Sequence, residues 1–164
     1  MPLLPGLRVA HSSIHGYGVV TTRRFAQGER VIEGDGVIYD EDAEFDDTYA
    51  LVLPGLGADG EDDLTAPAIF FDLIDQTRWI NHACTPNTEV DSRYDPEIKR
   101  VRAWWVAARD LEIGEELTYD YAFAGVIAER CLCGSPRCRG LIVDADPAEL
   151  ALIPEPLRPY LRAG

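Results

Sequence analysis

Apolar and polar residues alternate along this chain in short runs, a period-two pattern that predicts strands rather than helices. Leu7 to Ala10 and Val19 to Thr22 flank the segment Ser12-Ser13-Ile14-His15-Gly16-Tyr17-Gly18, and the turn Gln27-Gly28-Glu29 leads into the apolar pair Val31-Ile32. Val37 to Tyr39, Tyr49 to Leu53 and Ile69-Phe70-Phe71 read as further short strands, with Pro54 to Gly60 as a loop between the last two. Leu73 to His82 is expected to make a turn or two of helix before Pro86 interrupts it. The clearest signal is a hairpin in which Thr88 to Ser92 and Lys99 to Ala107 flank Tyr94-Asp95-Pro96-Glu97, where Asp-Pro starts the turn. Glu116 to Tyr119 forms a shorter strand after the turn at Ile113-Gly114-Glu115. Four prolines between Pro147 and Arg162 restrict the tail to brief helical turns, expected to lie across the body of the domain. The expected fold is mainly β, with little helix, no repeat and no internal linker.

Composition narrows the class. A chain of 164 residues with 46% hydrophobic content can bury the core of one domain. No segment approaches the ~18 consecutive apolar residues of a membrane span, and Met1 to Ser13 lacks the features of a secretion leader. The expectation is therefore a soluble, intracellular and cytoplasmic protein. Its formal charge of −14, from 29 acidic against 15 basic residues, argues against nucleic acid, whose phosphates demand Lys and Arg, and favours a basic protein or peptide as partner. Much of the acid lies in two runs, Asp40 to Asp47 and Asp59 to Asp63, which read either as solvated loops or as a lure for a basic substrate. A homodimer is also compatible with a chain of this length.

The four cysteines allow two disulfides or a metal site. Cys131, Cys133 and Cys138 crowd one short loop, too close for unstrained bridges among themselves, whereas thiolates there can converge on one Zn²⁺. A structural zinc wants a fourth ligand, and Cys84 is the remaining cysteine; its bland alternative is a buried hydrophobe. Two further segments stand out. Asn81 and His82 precede a Pro-containing turn in Arg78-Trp79-Ile80-Asn81-His82-Ala83-Cys84-Thr85-Pro86-Asn87, which by itself reads as a hydrogen-bonded corner. Tyr119 and Tyr121 share one face at the end of Gly114-Glu115-Glu116-Leu117-Thr118-Tyr119-Asp120-Tyr121, as core residues or as the lining of a narrow aromatic channel.

Taken together, His15-Gly16-Tyr17-Gly18, Arg78 to Asn87, Glu115 to Tyr121 and the Cys131 to Gly140 loop resemble, in order and spacing, the motifs of SET-domain methyltransferases with a post-SET zinc loop. The resemblance runs from about Gly6 to about Leu141. It implies a SET domain at 1–125, with a variable insert at about 40–67, followed by a zinc loop and tail at 126–164. It further implies a fold of several small β-sheets in which the C-terminal segment threads beneath a loop as a pseudoknot. The implied activity is S-adenosylmethionine-dependent methylation of protein lysines. Carried over by position, His15, Gly16, Tyr17, Arg78, Trp79, Asn81, His82 and Leu141 would contact the cofactor. Tyr121 would be the catalytic tyrosine, and Tyr119 the switch residue favouring a monomethyl product. Cys84, Cys131, Cys133 and Cys138 would hold structural Zn²⁺.

One departure stands out. Gly34 falls where many relatives carry a channel aromatic, and Tyr39 is the candidate to compensate. A SET-like module that grips basic peptides without turnover is the alternative function, which the retained Tyr121, Asn81 and His82 disfavour.

Overall fold

In a computed structural model, residues 5–162 are described apart from Asp40, Glu41, Ala58, Gly60, Leu64, Pro96 and Lys99, with backbone alone at Asp62. The Asp95-Pro96 turn and the Lys99 strand start expected from the sequence thus lie partly outside the described residues. The strands of the first half are β1 (Leu7–His11), β2 (Tyr17–Thr21), β3 (Arg30–Gly34), β4 (Gly36–Tyr39), β5 (Ala50–Leu53), β6 (Gly55–Leu56), β7 (Asp62–Asp63) and β8 (Ile69–Leu73). Those of the second half are β9 (Asn81–His82), β10 (Thr88–Asp95), β11 (Arg100–Ala107), β12 (Thr118–Tyr119), β13 (Glu129–Arg130) and β14 (Leu141–Ile142), followed by one short helix, α1 (Pro147–Ala151). They form small sheets, β1-β2, β10-β11-β3, β4-β8-β5, β6-β7, β9-β12 and β13-β14, so the mainly β expectation holds.

The hairpin is the frame. β11 turns Val101, Ala103, Trp105 and Ala107 inward into the main core, with β10 paired along its whole length and β3 along its second half. Full burial of a large apolar side chain such as Trp105, Phe25 or Leu73 contributes about 1.5–3 kcal/mol. β3 joins β11 through a register shift between Trp105 and Val106.

Three expectations change. Pro54 to Gly60 contains a strand, because β6 pairs Gly55 with Asp63 and Leu56 with Asp62, giving the insert a small ladder of its own. The turn or two of helix expected within Leu73 to His82 is a single 3₁₀ turn, Gln76–Trp79, since Leu73 already belongs to β8. Asp75 caps that turn by accepting the Thr77 amide at 2.9 Å, and extended backbone at Ile80 leads straight into β9. The expected strand Glu116 to Tyr119 divides between two partners: Leu117 donates its amide to the Val19 carbonyl at 2.8 Å, while Thr118 and Tyr119 run parallel to Asn81 and His82.

That change of partner builds the site. Segments distant in sequence are laced side by side: the Asn87 side chain donates to the Glu116 carbonyl at 2.8 Å and accepts from the Thr118 amide at 2.9 Å. The Thr88 hydroxyl closes the same crossing on the Thr118 carbonyl at 2.8 Å. Beyond Tyr121 the tail gathers its own apolar cluster of Ala128, Leu141, Val143 and Ile153, with Leu150, Leu157 and Leu161 against it.

Candidate functional site

Asn81 ties the first two motifs together. Its Nδ2 lies 3.1 Å from the His15 carbonyl, 2.8 Å from the Tyr17 carbonyl and 2.8 Å from Glu116 Oε1. Ser12 Oγ donates to the same Glu116 carboxylate at 2.7 Å, so the glycine turn, the Asn-His segment and the Glu-Glu-Leu motif share one polar node. Gly16 allows the turn by taking φ 50°, and Gly18 leaves the space that the Glu116 carboxylate fills. Around this node lie exposed Tyr17, stacked on His11 at 4.9 Å, and Trp79, 6.1 Å from Tyr17. His15, Gly16, Tyr17, Trp79 and Asn81 are thus brought to one surface.

Two other expected cofactor contacts, Arg78 and Leu141, have protein partners of their own. Arg78 lays its guanidinium 4.1 Å above the Tyr49 ring, toward the insert. Leu141 is fully buried in the tail cluster, paired with Arg130.

The tyrosines stand beside the node. The Tyr121 hydroxyl donates to the Ile80 carbonyl at 2.8 Å, and its ring centre is 4.7 Å from that of Tyr119. Burial pushes the Tyr121 phenol above its usual range, with smaller contributions from Tyr49 and Glu116. Burial does the same to Tyr119, aided by Tyr121. Both rings are therefore neutral hydrogen-bonding groups around neutral pH. Tyr39, expected to stand in for a channel aromatic, does not reach them. It pairs with Phe70 on the side of β8 opposite buried Phe71, and stacks on Phe45 at 4.1 Å. Tyr49, expected from the sequence only as the start of a strand beside an acid run, lies under the Arg78 guanidinium.

His82 joins this pair to the cysteines. Its Nδ1 accepts the Tyr121 amide at 3.2 Å, which leaves the proton on Nε2, 3.3 Å from Cys84 Sγ. Burial lowers its pKa to about 4; Asp120 raises it and Arg139 lowers it further. The 3.4 Å approach of Asp120 is therefore no ion pair at neutral pH. Asp120 instead takes Arg139 in a two-pronged pair at 2.7 Å for each bond.

All four cysteines are free thiols, and their sulfurs lie within 4.8 Å of one another. Four sulfurs at about 2.3 Å from one tetrahedral Zn²⁺ would be roughly 3.8 Å apart; Cys84 and Cys131 are already at 3.6 Å. The Arg139 amide points at Cys84 Sγ and the Gly140 amide at Cys138 Sγ, each at 3.3 Å, as donors that favour thiolates. Burial, by contrast, pushes the Cys84 thiol up to about 11, which a bound cation would reverse by displacing the proton. The donor set suits a closed four-sulfur metal site.

A shallow polar groove lined by Arg30, Arg93, Asp95, Glu97, Arg102 and Trp104 lies on the outer face of the hairpin, opposite the face that carries Trp105. It contains none of the residues above. Among the described residues, no helix is long and apolar enough to cross a membrane.

Known proteins resemble this chain in sequence. A histone-lysine N-methyltransferase, H3 lysine-4 specific, of Yarrowia lipolytica is 32% identical over 149 residues, covering 83% of this chain and 12% of that protein. Histone-lysine N-methyltransferase ash1 of Drosophila melanogaster is 32% identical over 84% of the chain and 6% of its own length. Histone-lysine N-methyltransferase 2B of Homo sapiens is 34% identical over 80% of the chain and 5% of its own. The chain thus spans about an eighth or less of these relatives. The SET domain model matches residues 16–122, the stretch that holds the glycine turn, the Asn81-Glu116 node and the tyrosine pair, and the chain belongs to the SET domain family.

Proposed function

We propose that the chain is an S-adenosylmethionine-dependent protein-lysine methyltransferase that acts on a basic, histone-like protein and makes chiefly monomethyl-lysine. The observation that supports this most directly is the Tyr121 hydroxyl, held on the Ile80 carbonyl at 2.8 Å beside Tyr119 and next to the Asn81 node. S-adenosylmethionine, when bound, supplies a sulfonium methyl for in-line displacement by an amine. The protein's task is then positioning and electrostatics, without a covalent intermediate.

In this reading His15, Gly16, Tyr17, Trp79 and Asn81 hold the cofactor, with Arg78, His82 and Leu141 acting from further away. Tyr119, Tyr121 and Tyr49 line the lysine's approach. Deprotonating a lysine of reference pKa ~10.4 costs roughly 4–5 kcal/mol at pH 7 in water, and a dry wall of neutral phenols lowers that cost. Cys84, Cys131, Cys133 and Cys138 hold a structural Zn²⁺ that fixes the tail.

The net charge of −14 and the relatives' names together favour histone tails over other substrates, and thus a compartment where histones occur over the cytoplasmic placement expected from composition. The deciding experiment incubates purified protein and S-adenosylmethionine with a lysine peptide array that includes histone H3 tail peptides. Mass spectrometry should show methyl-lysine that depends on Tyr121. Verified cofactor binding with no transfer to any peptide would overturn the proposal.

A further inference from the structure

Gly34 and Ala103 face each other directly in the β3-β11 ladder, and Trp105 is the diagonal neighbour on the same face. Two of the smallest residues therefore sit opposite each other beside the largest. The indole uses that room. A Cβ on Gly34 would lie 3.0 Å from Trp105 Cζ3, 3.0 Å from Thr77 Oγ1 and 3.2 Å from Leu73 Cδ2, so the volume belonging to residue 34 is already taken.

Trp105 is 0% exposed and stands edge-on to Tyr119, with ring centres 5.7 Å apart at 77°. Its benzo edge faces Gly34, which turns the pyrrole edge and its N–H away from that residue. Among the described residues Trp105 Nε1 has no hydrogen-bond partner. A fully buried donor without an acceptor is uncommon in a folded protein and marks a place where water or a ligand completes the site.

We infer that Trp105 is a specificity-determining residue: its indole, folded over Gly34 against Tyr119, closes the lysine site and limits how many methyl groups the amine receives. The inference rests on the reading of Tyr119 and Tyr121 as the lysine channel. Residue 34 leaves a gap and residue 105 fills it from the neighbouring strand, so the absence of a side chain at Gly34 does not create spare volume for methyl groups.

The test compares wild type, Trp105→Phe and Tyr119→Phe on the same lysine peptide, with mono-, di- and trimethyl products resolved by mass spectrometry at matched conversion. An apolar site separates ligands differing by one methyl group by about tenfold or more, so Trp105→Phe should raise the di-to-mono ratio by about tenfold. A wild-type product ratio in Trp105→Phe, whether or not Tyr119→Phe shifts it, overturns the inference. If Tyr119→Phe does shift it, the methyltransferase reading survives that result.

Thermal unfolding provides a second readout independent of turnover. Gly34→Ala should cost clearly more stability in the wild type than in Trp105→Leu, where the space has been vacated. Equal costs would show that Trp105 does not occupy it. Trp105→Leu combined with Gly34→Tyr, which returns an aromatic wall from the other strand, should move the product ratio back toward the wild type. Failure to do so counts against the inference.

Discussion

His82 places its Nε2 3.3 Å from Cys84 Sγ, so a single imidazole separates the sulfur cluster from the backbone of Tyr121. A metal held by the cysteines, as proposed above, would thus lie one side chain away from the tyrosine segment.

The first prediction concerns the metal. Purified protein should carry one tightly held Zn²⁺ per chain, and Cys131→Ser should release it. Metal binding and ordering of such a loop are coupled, so chelation should also raise hydrogen exchange in 128–143. Elemental analysis with exchange mass spectrometry checks both. Less than about half a zinc per chain in unchelated protein would sink the assignment.

Tyr121→Phe removes the hydroxyl that rests on the Ile80 carbonyl. It should lower kcat by about 10²–10³ while leaving cofactor affinity within a few fold, because the loss falls mainly on the transition state. Asn81→Ala should instead weaken cofactor binding, and it also strips the His15 and Tyr17 carbonyls of their donor. Calorimetry with S-adenosylhomocysteine and steady-state kinetics separate the two effects. Nearly full turnover in Tyr121→Phe would contradict the role given to it.

Product number should respond to Tyr119. Its half-buried ring packs against Trp105 and Tyr121, and in the proposed channel its hydroxyl would compete with a methyl group for space. Wild type should yield mainly monomethyl-lysine, and Tyr119→Phe should move the product toward higher methylation with the reaction intact. Abundant trimethyl-lysine from the wild type at high conversion would refute this.

Burial raises the Tyr121 pKa, and the sign of the consequence is definite. The folded chain keeps a phenolic proton that the unfolded chain would lose near pH ~10, so this contribution to stability is present below that pH and falls away above it. Activity should therefore climb with pH through about pH 9 as the substrate lysine deprotonates, with no downturn from Tyr121. A pH–rate profile that falls between about pH 8 and 9 in the wild type but not in Tyr121→Phe would contradict it.

Much of this site could be read from the chain because its motifs are local: turn glycines, a cysteine loop and tyrosines spaced two apart carry their geometry in adjacent residues. The hairpin was legible for the same reason, as two β-prone runs around Asp95-Pro96, although β10 runs on to Asp95, past the expected end at Ser92. What stayed hidden depends on distant partners. Nothing near Glu116 announces that its carboxylate will take Ser12 and Asn81 together. Arg78 lies over the ring of Tyr49, which the insert supplies, and Tyr39 pairs with Phe70 and stacks on Phe45, partners that nothing adjacent to it announces. The two-residue ladder of β6 and β7 was invisible because strands so short leave no periodicity.

The grip of Arg139 on Asp120 has a consequence in time as well as in space. A ribosome releases Asp120 and Tyr121 before Cys131, Cys133, Cys138 and Arg139, so the newborn sheet emerges with its tyrosine segment unclamped and waits for the tail. With the metal role proposed for the cysteines, that wait ends only when a cation is captured. Under metal starvation, cells would then accumulate chains whose hairpin is finished but whose clasp is open. The activity of the protein would in that case record the supply of zinc during its synthesis.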